Sequence, residues 1–330
     1  MTCLEERTDY IMIFSIPECN LSCSYCRLNN VKRNEPLSNN EIVELGEACY
    51  KAGIRRIRWT GGEPTARKGF ANLVSGMKEI GIEEQYLSTN GTLLYRIASA
   101  LSDAGIKRVN ISLDTFDRGN FRQITGKDLL TEVLQSIRRS TEVFGLVKIN
   151  SVLVGEDVES VYDFIDFVSG FDENRPVPRF IPLGACGGPG GPEDSRRVLE
   201  PEQILNEFSR RYGDLELCED VENNNPFTRY YTIKPRGVVF GIAHYFFTDR
   251  KGSLRQPTTL RINPNGYVSN EFYSHDVPFL PDFDFQGKVD IIRQLIEDKK
   301  THNREWHLKS MERPPKYDLD FWRFGRVSEI

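Results

Sequence analysis

The first half of the chain alternates short apolar runs with segments of helical periodicity. The apolar runs have the length and composition of buried strands. Six strand–helix units are predicted, with strands at residues 11–16, 55–60, 85–89, 108–113, 146–154 and 178–183. Units of this kind pair in parallel through right-handed crossovers. The pattern therefore predicts an α/β fold whose parallel sheet curls into a full or partial barrel.

The rhythm ends at a glycine- and proline-rich stretch, Cys186–Ser195, which predicts a flexible loop. Helix, strand, strand and late helix are then predicted at residues 200–212, 237–247, 258–268 and 290–299. Within the second strand, Asn263–Gly266 has the composition of a hairpin turn. We therefore expect a barrel core at 1–185 and a C-terminal α+β extension at 186–330 that closes the barrel and shapes the substrate pocket.

Composition narrows the class of partner. The 330 residues are 39% hydrophobic and 28% charged, which suffices for a buried core. A net charge of −5 argues against a protein that coats nucleic acid. No apolar run reaches the roughly 18 residues of a membrane span, and the N-terminus is charged where a secretory signal is apolar. We expect a cytoplasmic protein with a small-molecule partner, and neither nucleic acid nor membrane.

Three cysteines follow the first predicted strand. Cys19, Cys23 and Cys26 have the spacing C-x3-C-x2-C. Three thiolates on one loop can hold three irons of a [4Fe–4S] cubane and leave the fourth iron open. Their position also matches the barrel face that carries active sites. The alternative is a structural zinc site, but no other cysteine or histidine forms a second half-site of the spacing that zinc uses.

Further motifs follow in order along the chain: CNLSCSYC (19–26), IRWTGGEPTARK (57–68), STNGTLL (88–94), VNISLDT (109–115), FRQITGKD (121–128), VKINSVLV (147–154) and RFIPLG (179–184). Through them the chain resembles the radical SAM enzymes, and among these the MoaA family of GTP cyclases of molybdenum cofactor biosynthesis. The resemblance runs from about Tyr10 to Gly184. It implies a partial (βα)6 TIM-like barrel that holds one [4Fe–4S] cluster and S-adenosylmethionine (SAM).

The resemblance also implies which residues contact SAM. One is an aromatic residue just before the last cysteine, and the others lie at the ends of strands two, three and four. They are Tyr25, Gly61, Gly62, Glu63, Asn90 and Ser112. The two glycines would let the backbone approach a ligand closely. Glu63 would accept a hydrogen bond from the methionine ammonium.

Four cations and a threonine are candidates for the substrate. Arg58, Lys148 and Arg179 fall on predicted strands, where cations are rarely buried unless they are paired. The resemblance places Arg58, Thr89 and Lys148 among residues that hold a nucleotide, whose phosphates would be natural partners. Arg261 stands at a position where the family has an arginine. Internal salt bridges with Asp114 or Glu63 are the alternative for the cations.

The C-terminal part departs from the family. The family holds a second cluster there with three cysteines, whereas Gly252–Gly266 contains none and Cys186 and Cys218 are isolated. The family's C-terminal pair of glycines is also missing. An arginine of its first strand is replaced by Ile13. The aromatics in this part, Tyr230, Tyr231 and residues 244–247, would line a rebuilt pocket or simply fill a hairpin core. We therefore expect an enzyme outside molybdenum cofactor synthesis.

The resemblance implies that SAM is reductively cleaved to a 5′-deoxyadenosyl radical. The radical would abstract hydrogen from a nucleotide, nucleoside or nucleotide-sugar and lead to carbon–carbon bond formation in a specialised pathway, such as that of a nucleoside antibiotic. Flavodoxin or ferredoxin would donate the electron. Radical decarboxylation, dehydrogenation or epimerisation of a sugar nucleoside is an alternative, with Cys186 as a conceivable hydrogen donor. Peptide modification, or a non-enzymatic iron–sulfur or zinc protein, are the others.

Overall fold

The computed structural model describes residues 10–26, 36–153, 160–182, 201–218, 228–243, 260–269 and 278–312, with side chains to residue 301. Strands β1 to β11 span Tyr10–Phe14, Arg56–Thr60, Glu84–Thr89, Ile106–Ser112, Leu146–Leu153, Val177–Pro182, Leu215–Cys218, Thr228–Ile233, Val238–Ala243, Leu260–Ile262 and Val268–Ser269. Helices α1 to α8 span Asn39–Ala52, Phe70–Ile80, Leu94–Ala104, Arg118–Thr125, Leu130–Val143, Ser160–Ser169, Pro201–Tyr212 and Phe285–Glu312.

The predicted strand–helix units form the centre of one sheet. Strands β1 to β6 lie side by side in chain order, and every neighbouring pair is parallel. The α/β class and the parallel core of six strands are thereby confirmed. Within the described residues β7 and β11 are the two edges of the sheet, so the barrel is partial.

The C-terminal part adds strands to both edges of that core. On one side β10 pairs in parallel with β1 and forms an antiparallel pair with β11. On the other side β9 pairs in parallel with β6, and β8 and β7 follow in antiparallel order. The hairpin turn predicted at Asn263–Gly266 is therefore observed between β10 and β11, with Gly266 at φ 95°.

Successive side chains along each strand point alternately towards the helices and towards the barrel lumen. The helix-facing positions are apolar and fully buried, as at Ile11, Ile57 and Ile149. Helix α1 covers this face with its buried stripe, starts at Ser38 through a capping box and ends at Gly53 in the left-handed region. The opposite face of each strand lines the barrel lumen. Apolar burial thus fixes which side chains point inward.

Several elements differ from the sequence-based expectation. Helix α4 and strands β7 and β8 were not expected, and α8 extends well beyond 290–299. Of the expected aromatic pocket, Tyr230 lies on the lumen face, whereas Tyr231 lies on the other face with its ring stacked on Phe240 at 5.7 Å. The loop at 186–195 and the aromatics at 244–247 lie outside the described residues. In the part of the chain that is described, no helix is long and apolar enough to cross a membrane.

Candidate active site

The cysteine loop is held above the lumen by backbone hydrogen bonds. Cys19 is exposed, and Cys23 and Cys26 are partly buried. The amide of Ser22 donates to the Thr125 carbonyl and that of Ser24 to the Ile124 carbonyl, both at 2.9 Å. These carbonyls belong to the last turn of α4, whose C-terminal acceptors are otherwise unsatisfied. Helix α4, which the sequence pattern did not reveal, therefore positions the loop.

The environment of the thiols fits an iron–sulfur cluster. Burial raises the pKa of Cys19 and raises that of Cys23 to about 12, so binding iron must release protons. Cys19 Sγ accepts hydrogen bonds from the Leu21 amide at 3.4 Å and from Asn90 Nδ2 at 3.6 Å, which favour a thiolate. Among the described residues no three His, Cys, Asp or Glu side chains converge on a single ion. In a [4Fe–4S] cubane each cysteine binds a different iron, so the three thiolates need not converge on one ion.

Glu63 links the ends of β2 and β3. Its carboxylate is fully buried and accepts from the Thr65 amide at 3.0 Å, Thr89 Oγ1 at 2.7 Å and the Asn90 amide at 2.7 Å. Burial raises the pKa of Glu63, and the hydrogen bonds act in the opposite direction. Through these hydrogen bonds Glu63 organises the loops beneath the site. A contact with the SAM ammonium stays a prediction.

Thr89 contacts Glu63 at the end of β3. Its hydroxyl donates to Glu63 and accepts from the Gly91 amide at 3.0 Å. It lies opposite Ile111, a helix-facing residue, and is only 4% exposed. The structure therefore shows Thr89 supporting Glu63, and its contact with the substrate stays a prediction.

The paired glycines allow two backbone segments to approach each other closely, and their approach to SAM stays a prediction. A Cβ on Gly62 would lie 1.8 Å from the Glu18 carbonyl oxygen, and one on Gly61 would lie 2.5 Å from that of Ile16. The amide of Gly62 donates to Ile16 at 2.7 Å, and that of Glu63 to Glu18 at 2.8 Å. The glycines therefore let the loop after β2 lie against the backbone that leads to Cys19. They position the cluster ligands whether or not they also face SAM.

Two residues within the quoted motifs, to which the sequence analysis gave no positioning role, complete this support. Asp114 accepts from Tyr25 Oη at 2.6 Å and from the Val152 amide at 2.8 Å, so it joins the cysteine loop to the ends of β4 and β5. Burial raises the pKa of Asp114 to about 6. Arg67 donates to the Ser15 carbonyl and, at 2.7 Å, to that of Leu37. The available sequence signal for both residues was their place within the motifs VNISLDT and IRWTGGEPTARK.

The predicted cations lie on the lumen face. Directly opposite residues on paired strands share a face. Met12 lies opposite both Arg58 and Arg261, and Asn150 lies opposite both Ser112 and Arg179. Lys148, two residues before Asn150 on β5, shares its face. Arg58, Lys148, Arg179, Arg261 and Ser112 thus line one lumen, whereas Ile13 packs outward in the apolar core.

Polar atoms in this lumen lack protein partners. Arg58 Nε, Arg179 Nε and Asn150 Oδ1 are buried without a hydrogen bond among the described residues. Buried polar atoms are nearly always paired, so three orphaned atoms in one lumen indicate a polar ligand. The alternative of salt bridges to Asp114 or Glu63 finds no support, because the hydrogen bonds of both carboxylates are to other groups.

Comparison with known proteins agrees with this arrangement. The model of the Radical SAM superfamily matches residues 13–168. A GTP 3′,8-cyclase of Listeria monocytogenes serotype 4b (strain CLIP80459) is 31% identical over 98% of this chain and 96% of its own. The chain belongs to the radical SAM superfamily, in the family of the GTP 3′,8-cyclases. The molybdenum cofactor biosynthesis protein moc-5 of Caenorhabditis elegans is 28% identical over 95% of this chain and 53% of its own.

Solved structures support the fold. The SAM-bound enzyme anSMEcpe matches with a TM-score of 0.59 at 17% identity, over 88% of this chain and 83% of that one. Streptococcus suis SuiB bound to SAM matches with a TM-score of 0.58 at 16% identity, over 86% and 63%. As a radical SAM enzyme, the chain uses a [4Fe–4S] cluster and SAM. Cys19, Cys23 and Cys26 are the cysteines that the structure places on the loop above the lumen.

The close packing at Gly62 predicts a large loss of stability in Gly62→Ala. A methyl group 1.8 Å from a backbone oxygen forces the loop after β2 away from the cysteine loop. We expect the free energy of unfolding, from urea titration, to fall by at least about 2 kcal/mol. Gly76→Ala is the control, because its Cβ meets only Val43 Cγ2 at 3.5 Å inside α2 and should be neutral or stabilising. Equal stability of the two variants would contradict the packing argument.

The raised pKa of Asp114 predicts a pH-dependent gain in Asp114→Asn. The folded pKa is about 6, above the roughly 3.9 of an unfolded chain, so the native state holds the proton more tightly. This contribution to stability is present below about pH 4 and is lost as the pH rises through 6. The free energy of unfolding of Asp114→Asn minus that of the parent protein should rise by about 1–2 kcal/mol between pH 5 and pH 8.

Urea unfolding at each pH measures this difference. Asp117→Asn is the matched control, because Asp117 is the exposed N-cap of α4 and asparagine caps equally well. A difference that stays constant over the range for Asp114→Asn would contradict the prediction.

Proposed function

We propose that this radical SAM enzyme acts on a phosphorylated, nucleotide-like substrate and directs the substrate radical to carbon–carbon bond formation. The observation that carries this proposal is the cationic lumen beneath the cysteine loop, where Arg58 and Arg179 each present a buried Nε that has no hydrogen-bond partner in the described part of the chain. Phosphate oxygens pair with guanidinium groups in this way. The names of the near-full-length relatives, GTP 3′,8-cyclases, support the same substrate class.

The cluster and SAM, when bound and reduced, supply the hydrogen-abstracting 5′-deoxyadenosyl group. The chain's own residues position the reactants. Glu63, with Asn90, fixes the strand ends beside Cys19, and Asp114 holds Tyr25. We assign SAM contact to Tyr25, the Gly61–Gly62 backbone, Asn90 and Ser112, and substrate contact to Arg58, Lys148, Arg179 and Arg261.

The substrate would be recognised without iron in a second cluster. Residues 187–217 and 219–330 contain no cysteine, so three further thiolates are not available there. We therefore propose a substrate that differs from that of the cyclases in the ring that this region reads. A specialised nucleoside pathway accommodates such a change. An electron donor of the flavodoxin or ferredoxin type would complete the reaction system.

Cluster assembly and SAM cleavage test the enzyme class. Wild-type protein reconstituted with iron and sulfide without oxygen should bind about four irons per chain and form 5′-deoxyadenosine from SAM and dithionite. Cys23→Ala should lose both properties. Cys49→Ala is the matched control, because Cys49 is buried in the apolar core on α1 and should retain both. Zinc in place of iron in anaerobically purified protein would favour the structural-metal alternative.

Stimulation of that cleavage tests the substrate class. GTP and related nucleotides should increase 5′-deoxyadenosine formation, whereas short peptides should not. In Arg58→Gln the nucleotide concentration for half-maximal stimulation should rise by about tenfold or more, because a charge-assisted hydrogen bond is lost. Lys107→Gln, at an exposed position of β4, should leave it unchanged. Stimulation by peptides alone would favour the peptide-modifying alternative.

A further inference from the structure

Tyr230 reaches the centre of the lumen from an added strand. It lies on β8, which is separated from β5 by β9 and β6. The residue opposite Tyr230 is Gly241, and the residue opposite Gly241 is Arg179. A Cβ on Gly241 would lie 2.7 Å from Tyr230 Cε1 and 3.0 Å from Cδ1. The absence of a side chain at 241 therefore lets the ring cross β9 towards β6 and β5.

The ring ends at the buried ammonium of Lys148. Lys148 Nζ donates to Tyr230 Oη at 2.7 Å and lies 4.8 Å from the ring centroid. Lys148 is 8% exposed and Tyr230 1%. A buried ammonium is costly unless acceptors surround it, and its flexible stem has several rotamers to choose from. The hydrogen bond to the phenol oxygen favours the rotamer in which Lys148 Nζ lies beside the Tyr230 ring.

Arg179 adds a second positive group to this arrangement. It is 5% exposed and stands on β6, between β5 and the glycine over which the ring lies. Its Nε has no partner among the described residues, and neither has Oδ1 of Asn150 directly opposite. Two cations on neighbouring strands, one of them oriented by a phenol, form a concave donor set for a tetrahedral anion.

We propose that Tyr230 is a positioning residue, which orients Lys148 so that Lys148 and Arg179 together bind one phosphate group of the substrate. This inference rests on the proposed function for the identity of the anion. Tyr230 acts through Lys148, and Gly241 is required for its reach. If the ring only filled the core, the loss of its hydroxyl would leave Lys148 and anion binding unchanged.

The first experiment reads Lys148 directly, without any substrate. Reconstituted enzyme is labelled with acetic anhydride at limiting concentration, and acetylation of each lysine is measured by mass spectrometry. In Tyr230→Phe the amine loses an acceptor that stabilises its charged form, so acetylation of Lys148 should rise severalfold. Tyr231→Phe is the control, because the neighbouring phenol lies on the other face of the same strand. Unchanged acetylation in Tyr230→Phe overturns the proposal.

The second experiment measures the binding of anions. Equilibrium dialysis of the same enzymes with pyrophosphate and with GTP should show binding weakened about tenfold in Tyr230→Phe and unchanged in Tyr231→Phe. Gly241→Ala should reproduce both effects by displacing the ring. If Gly241→Ala fails to fold, the result for Tyr230→Phe alone tests the positioning role, because phenylalanine retains the ring.

The outcomes separate the two proposals. Pyrophosphate binding that depends on Tyr230, with no binding of GTP, supports the positioning role and removes the nucleotide. Binding of pyrophosphate and GTP that is indifferent to Tyr230→Phe overturns the positioning role and retains the nucleotide. No binding of either anion to the wild type overturns the phosphate site, whatever the acetylation shows.

Discussion

The buried carboxylate of Glu63 is the interaction on which the site depends. It stands at the end of β2 and accepts donors from Thr65, Thr89 and Asn90, so it joins two neighbouring strand ends. Its own amide donates to Glu18, one residue before Cys19. Burial raises the pKa of Glu63, and its donors oppose this effect because each replaces lost hydration. The cysteine loop, the glycine turn and the Asn90 turn are therefore fixed relative to one another by one group.

The polar character of the lumen follows from the position of the apolar core. Apolar residues on the outward face of β1 to β6 already bury a continuous core against the helices. The inward face is thus free to carry groups whose burial costs stability, among them Arg58 and Arg179. Such groups persist in a fold when the rest of the structure outweighs their cost, and they usually mark the place where a ligand completes the hydrogen bonding.

Much of this arrangement was predictable from periodicity and caps. The strand–helix rhythm predicted β1 to β6, and the caps that end α1 at Ser38 and Gly53 depend on equally local chemistry. The motif suggested a ligand contact for Thr89 but could not show its hydrogen bond to Glu63, because the register at a strand end decides which neighbours a residue meets. Tyr230 and Tyr231 are adjacent and alike in sequence, yet one lines the lumen and the other packs on Phe240. Only the pairing of β8 with β9 distinguishes them.

The pairing of β8 with β9 and the contact of α4 with the cysteine loop both join residues that are distant in the chain. Local propensity therefore predicts neither of them. The central and the added strands of the sheet therefore contribute different parts of the site. Strands β1 to β6 hold the cysteine loop and most of the predicted SAM contacts, and the added strands reach the lumen from both edges. On one edge β10 sets Arg261 beside Met12, and on the other β8 sets Tyr230 against Lys148. Specificity can therefore change through the edge strands while the radical-generating centre, built on Glu63, keeps its geometry.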